Sequence, residues 1–372
     1  MKKLYLLILI FFASFIALNS CKRDPAVNKV VYSDPDSLYV GTKYKLPTAA
    51  LYLFPPVTNP YADSMTVEGV ALGRRLFYDK HLSADGQKSC ASCHNLVAAL
   101  SDSGFAKSTN EFGLTKRNAP ALINLAWSPY FFWDGRSKSL ALQAQDAYHN
   151  ELGMIVTSAI SYLQTDSIDV KLFKKAFGRP GTITDVGIYK AIQQFLMTAI
   201  SSNSKYDLYR QGRATFTSSE QNGLRVFSTE TGDCFHCHMS DGGYTLLMTD
   251  NLFRNTGLEN AATVNDFTDP GRGAITLNQN DYGTFKDPTL RNIALTGPYM
   301  HDGRYTTLAQ VIDFYSDSTQ LSPTVDPLLL TVYHNYGAGL HLAASDKTDL
   351  LNFLYTLTDT SFINNPALSS PF

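Results

Sequence analysis

Charge is sparse and nearly balanced in this chain. Charged residues make up 17% of its 372 residues, with 31 Lys and Arg against 33 Asp and Glu and a formal charge of −2. There is no long basic run, so the electrostatic footprint of a nucleic-acid binder is missing. Hydrophobic residues reach 44%. That excludes a disordered chain or a coiled coil and supplies a packed core for two ordinary domains or one large one. Alternating strand patterns are scarce, and the chain reads as mostly α with long irregular segments. Cysteine is limited to five residues. Cys21 follows an apolar stretch, and the other four form two C-x-x-C pairs, Cys90 with Cys93 and Cys234 with Cys237.

Long apolar runs are also lacking, apart from one at the start. Met1-Lys2-Lys3 precedes an apolar run from Leu4 to Leu18. This is a positive n-region and a short h-region, too short and too N-terminal for a membrane-spanning helix. It ends in Leu18-Asn19-Ser20-Cys21, which resembles a bacterial lipoprotein cleavage site. Residues 1–20 then read as a signal peptide, and Cys21 as the lipidated first residue of an exported protein. The protein is expected at the periplasm or cell surface, tethered to a bacterial membrane, the outer one. A plain signal peptide is the alternative, but it leaves an odd exported cysteine unexplained. Residues 21–55 are rich in Pro, Asp, Tyr and Thr and read as a tether and extended lead-in.

Helical spacing of apolar residues predicts helices over Val67–Phe77, Leu140–Tyr148, Val170–Phe177, Thr307–Tyr315 and Asp346–Leu357. Thr184 reads as the cap of a further helix with Ile188, Ile192, Phe195, Leu196 and Ala199 on one face. Ser218-x-x-Gln221 reads as a capping box opening a helix that ends near Ser228. A weak internal repeat joins the halves. A Cys pair is followed by Trp133-Asp134-Gly135-Arg136 in one and by His301-Asp302-Gly303-Arg304 in the other. Two domains of one plan are expected, over 56–205 and 206–372.

Both pairs are C-x-x-C-H: Cys90-Ala91-Ser92-Cys93-His94 and Cys234-Phe235-His236-Cys237-His238. One helical turn places two thiols where they can form thioethers with the vinyl groups of a haem. The following His can then reach the iron. A zinc site, a thioredoxin-like pair or two disulfides are the alternatives. A zinc ribbon needs its pairs close together, whereas these lie in separate halves. A redox pair does not need a His in the fifth place twice. Two covalent c-type haems are expected. Between His94 and His149 the chain has no His and no Met. The first haem therefore has no obvious sixth ligand and is expected to keep an open face.

Several segments strengthen this reading: Leu72-Gly73-Arg74-Arg75-Leu76-Phe77, Ser89 to His94, Arg117-Asn118-Ala119-Pro120, Phe132 to Arg136, Phe285 to Asn292, and Pro298 to Gly303. With them the chain resembles the bacterial di-haem cytochrome c peroxidase and MauG family over roughly 55–358. The resemblance implies two cytochrome c-like domains. The N-terminal haem would be peroxidatic, with His94 as its proximal ligand. The C-terminal haem would transfer electrons, with His238 proximal, and Trp133 would carry electrons between the two. Gln143 and Glu151 match the family's distal Gln and Glu, which move protons during peroxide cleavage. The stretch between them is shorter than the family's, and Leu152 replaces a usual Met. His149 is a rival acid–base group, read as a surface His. The family's calcium ion would be held by hard oxygens of Asn118, Thr296 and Pro298. Trp127 reads as core, and His301 as a structural histidine near the second haem.

Two departures from the family pattern matter. Asn110 falls where many family peroxidases carry a removable distal His. No Met follows Met300, and Tyr315 falls where the peroxidases place a Met as sixth ligand of the second haem. The MauG branch uses a Tyr there, and an anionic oxygen favours higher oxidation states. Tyr315 is therefore a candidate sixth ligand, with His334 and His341 as outsiders. The implied activity is reduction of hydrogen peroxide to water with electrons from a small cytochrome c or cupredoxin. The alternatives are a MauG-like oxidase acting on a partner protein, a di-haem electron carrier without peroxide chemistry, and a haem sensor. Many members of the family are dimers, so the resemblance also raises a homodimer.

Overall fold

The computed structural model describes residues 41–47, 54–57, 59–102, 109–110, 113–114, 116–178, 182–239, 246–330 and 339–372. The expected signal peptide, Cys21, most of the tether and His334 lie outside the described residues. In chain order the helices are α1 (Val67–Tyr78), α2 (Cys90–Cys93), α3 (Leu140–Asn150), α4 (Val156–Leu163), α5 (Ser167–Phe177), α6 (Asp185–Met197) and α7 (Lys205–Arg210). They continue with α8 (Ser218–Phe227), α9 (Phe235–His238), α10 (Gly273–Thr276), α11 (Leu308–Asp317), α12 (Ala344–Tyr355) and α13 (Thr360–Ile363). The described strands are two-residue antiparallel pairs. β1 (Thr109–Asn110) pairs β2 (Gly113–Leu114), and β3 (Phe253–Arg254) pairs β4 (Phe285–Lys286). No helix among the described residues is long and apolar enough to cross a membrane.

Two helix crossings organise the core. In the first half α1 crosses α6 at Gly73. A Cβ there would lie 1.9 Å from the Ala191 carbonyl oxygen and 2.8 Å from Phe195 Cβ. In the second half α8 crosses α12 at Gly223, where a Cβ would lie 1.9 Å from the Asp349 carbonyl oxygen and 2.8 Å from Phe353 Cβ. Bare backbone lets each pair approach closely, and the apolar faces then close around the contact. Leu72, Leu76, Phe77, Ile188, Ile192 and Phe195 are buried around one crossing, where Phe77 packs on Phe195; Val226, Phe227, Leu350, Phe353 and Leu354 are buried around the other, where Phe227 packs on Phe353. Each fully buried side chain of this kind contributes about 1.5–3 kcal/mol.

Helix ends follow local chemistry. Thr66, Asp166 and Thr184 accept backbone N–H bonds at the starts of α1, α5 and α6. The capping box of α8 is Thr217 with Glu220, one residue earlier than Ser218 with Gln221. Glu220 is the better partner because it also accepts from Lys205 Nζ, at 2.6 Å. With Asp166 as its cap, α5 starts at Ser167, three residues before the predicted Val170. α4 and α7 are too short for a clear apolar period and were not expected. Deep in the second half, Arg291 and Asp207 pair with no exposed side-chain surface on either. Arg291 also donates to the Leu246 carbonyl at 2.6 Å.

Candidate active site

The first C-x-x-C-H segment is the single turn α2 and its cap. The Ser89 N–H donates to Ser92 Oγ at 3.0 Å, and the His94 N–H donates to the Cys90 carbonyl at 2.9 Å. Cys90 and Cys93 are not joined by a disulfide. Burial pushes the Cys90 thiol up to about 12. His94 Nδ1 lies 2.9 Å from the Leu100 carbonyl. A carbonyl only accepts, so Nδ1 carries the proton and Nε2 keeps its lone pair for a metal. Ala99 and Leu100 turn left-handed, at φ 54° and 56°. That costly backbone aims the Leu100 carbonyl at the ring.

The second segment repeats the device. The His238 N–H donates to the Cys234 carbonyl at 3.0 Å, and Nδ1 to the Met248 carbonyl at 3.1 Å, again from a left-handed residue at φ 56°. Cys234 and Cys237 are free thiols. Burial lowers the His238 imidazole to about 4 and pushes Cys234 up to about 12. Both histidines are thus held neutral, as iron ligation requires.

A constant offset in numbering relates residues 124–147 of the first half to residues 292–315 of the second. It pairs left-handed Asn124, Phe132 and Gly135 with left-handed Asn292, Met300 and Gly303. It pairs the bridge Phe131–Ser137 with Tyr299–Tyr305, and the first residue of α3 with that of α11. The same offset sets Trp133 against His301 and Ala147 against Tyr315.

Between these elements lies a cavity of about 1330 Å³. Cys93, His94, Gln143 and Glu151 line it from the first half, and Thr289, Thr296, Pro298 and His301 from the second. Gln143, Ala147 and Glu151 also share a smaller recess with Cys90, Cys93 and His94. The structure therefore brings the predicted Gln and Glu together beside the first Cys pair. Burial raises the Glu151 carboxyl above the ordinary range; the Arg136 charge opposes this and Asp146 adds to it. Trp133 lines the cavity, and its Nε1 donates to the Asn118 carbonyl at 2.8 Å. His301 stacks on Phe285 with ring centroids 3.6 Å apart, and burial lowers its imidazole to about 4.

Asn118 is buried. Its Nδ2 donates to the Pro298 carbonyl at 2.6 Å, and its Oδ1 is buried with no hydrogen-bond partner. Tyr315 stands within electrostatic reach of Cys234, Cys237 and Asp287, and its hydroxyl bonds Thr256. Burial holds its phenol protonated, well above the usual range. Of the remaining predicted residues, Trp127 is core and donates to the Pro55 carbonyl at 2.8 Å. Asn110 lies in β1 opposite Gly113. His341 is exposed and faces Asp317.

A di-haem cytochrome c peroxidase family model matches residues 67–215. The methylamine utilization protein MauG of Methylorubrum extorquens is 31% identical over 309 residues, 81% of each chain. The chain belongs to the di-haem cytochrome c peroxidase and MauG family. Cytochrome c551 peroxidase of Nitrosomonas europaea is 34% identical over 246 residues, 65% of this chain and 71% of that one. The crystal structure of a MauG-like protein associated with microbial copper homeostasis is similar at 32% identity and TM-score 0.74, covering 91% of this chain and 99% of that one. Membership implies two haem c groups, and the two thiol pairs with their pre-aimed imidazoles fit them.

Within this family framework, one feature escaped the sequence reading. Arg117 grips Asp269 with two bonds of 2.7 Å and reaches Asp134 at 2.6 Å, tying the halves together. Asp269 is so distant in sequence that no spacing rule links it to Arg117. The segment Arg117-Asn118-Ala119-Pro120 pointed to this region without naming the partner.

Proposed function

We propose that the protein is a di-haem c-type peroxidase that reduces hydrogen peroxide to water, drawing electrons from a small redox protein. The carrying observation is Glu151, a half-buried carboxyl of raised proton affinity, sharing one recess with Gln143, Cys93 and His94. A haem bound there supplies a redox-active iron that can bind peroxide. Cys90 and Cys93 would hold it and His94 would ligate it; Cys234, Cys237 and His238 would do the same for the second. Glu151 would take a proton from one peroxide oxygen and return it to the leaving one, and Gln143 would hold the peroxide by hydrogen bonding. Trp133, fixed by its bond to the Asn118 carbonyl, lies on the cavity wall as the electron bridge.

The buried, unpartnered Asn118 Oδ1 supports the family's calcium ion at this place. An amide flip would turn Oδ1 toward the Pro298 carbonyl, giving two hard oxygens on one side with Thr296 nearby. In this reading residues 56–205 and 206–372 are the two haem domains, Cys21 carries lipid, and the protein works in the periplasm or at the cell surface.

A MauG-like oxidase that acts on a partner protein is the second reading. Tyr315 favours it, because the offset between halves sets this phenol where the first half has only Ala147. As a phenolate it would close the second iron.

The deciding experiment is the absorption spectrum of the diferric holoprotein before and after an equimolar addition of hydrogen peroxide. A prompt oxidised-haem spectrum without prior reduction is expected. No change in either the diferric or the half-reduced state would leave only an electron carrier.

A further inference from the structure

Tyr148 and His149 are neighbours on α3, and Tyr189 faces them from α6. Both tyrosines are buried, at 1% and 3% exposure, and His149 is half-buried. The Tyr148 hydroxyl is in hydrogen-bond contact with Cys90 and donates to the Leu76 carbonyl at 3.0 Å. The Tyr148 and Tyr189 ring centroids are 6.2 Å apart. Tyr189 Oη lies 2.9 Å from His149 Nε2. A continuous line of aromatic groups therefore runs from the sulfur of the first Cys pair toward the surface.

The two phenols differ in what can take their proton. Tyr148 meets a backbone carbonyl, which accepts a hydrogen bond but not a proton. Tyr189 meets an imidazole, which accepts either. A phenol that loses an electron becomes strongly acidic, so it is oxidised most easily where a base already waits. Burial raises the Tyr189 phenol to about 12, so it starts neutral and protonated.

Resting on the peroxidatic reading of the Cys90/Cys93 haem, we propose that Tyr148, Tyr189 and His149 form an escape route for oxidising equivalents left on that haem when no donor arrives. One electron leaves Tyr189 and passes by way of Tyr148 to the haem, which is reduced by one electron. The phenolic proton moves from Tyr189 Oη to His149 Nε2. The products are a neutral Tyr189 phenoxyl radical and a His149 imidazolium. A one-electron reductant of the thiol or phenol class, meeting the half-buried His149 edge, returns the electron, and His149 returns the proton.

The test uses the full-length holoprotein, mixed with hydrogen peroxide without donor, freeze-quenched and read by electron paramagnetic resonance. A tyrosyl radical is expected, with a signal that narrows in protein carrying ring-deuterated tyrosine. Tyr189→Phe should lose the signal and lengthen the life of the oxidised haem, with donor-dependent turnover unchanged. His149→Gln keeps a hydrogen-bond acceptor but no base, and should also lose the signal. Absence of the radical in the wild type, or its persistence in Tyr189→Phe, overturns the proposal. If peroxide leaves the haem spectrum unchanged, the peroxidase reading fails separately. Flash-quench oxidation by a ruthenium photo-oxidant then delivers a single oxidising equivalent to the haem without peroxide, and the Tyr189→Phe comparison decides the relay.

Discussion

At the residue scale, Glu151 carries the greatest chemical consequence. A proton acceptor works only when deprotonated, and burial raises this carboxyl above the ordinary range. The acid limb of kcat/KM for peroxide should therefore lie above the usual carboxylate range and vanish in Glu151→Gln. The same variant should lose about 10²–10⁴-fold in turnover, the usual worth of general acid–base catalysis, while keeping its haem spectrum. Stability should move the other way. A carboxyl with a raised folded-state pKa favours the fold at low pH, and that contribution is lost as pH rises through the raised value. Glu151→Gln, neutral throughout, should thus melt higher than wild type at neutral pH and lose that advantage in acid. Thermal scans at the two pH values check this.

At the scale of elements, the two helix crossings demand glycine for the same reason. A methyl at Gly73 or Gly223 would meet a backbone carbonyl at 1.9 Å in either half. Helix backbone cannot step aside without separating the packed faces. Gly73→Ala and Gly223→Ala should each cost about 1–3 kcal/mol or more, the range for overpacked cores, read as lowered urea midpoints of the holoprotein. Long amphipathic helices such as α1, α6 and α12 were legible in the sequence because their apolar period repeats over several turns. Shorter ones were not: α4 and α7 present too few turns to show a period. The start of α8 was misread by one residue. Thr217 and Ser218 are both good caps, and only Glu220, with its bond to Lys205, separates them.

At the scale of the whole molecule, the halves meet around Asn118. It touches Pro298 through its side chain, Trp133 through its carbonyl and His301 through its amide, the last at 2.7 Å. If calcium occupies this junction, a chelator should slow electron exchange between the haems, and added calcium should restore it. Asn118→Ala should be slow with or without the ion. Pulse-radiolysis kinetics would measure both. The C-x-x-C-H segments were readable at once because their chemistry is local in sequence. Asn118, Thr296 and Pro298 were placed only through the family resemblance, since a site assembled from distant loops leaves no spacing to read. Arg117 with Asp269 shows the same limit. Tyr315 is intermediate: the sequence offered a missing Met, and the numbering offset between the halves pairs it with Ala147, which lines the recess beside the first Cys pair.

The pinned imidazoles have one more consequence. His94 and His238 are each held at Nδ1 by a carbonyl on a left-handed turn, and burial keeps both neutral. In the proposed ligation a ring fixed in this way would have little room to tilt or slide when its metal gained or lost charge. Reorganisation energy, the nuclear rearrangement that slows every electron hop, would then be kept small at both haems. The chain would meet that cost once, when it folds, and not again with each electron.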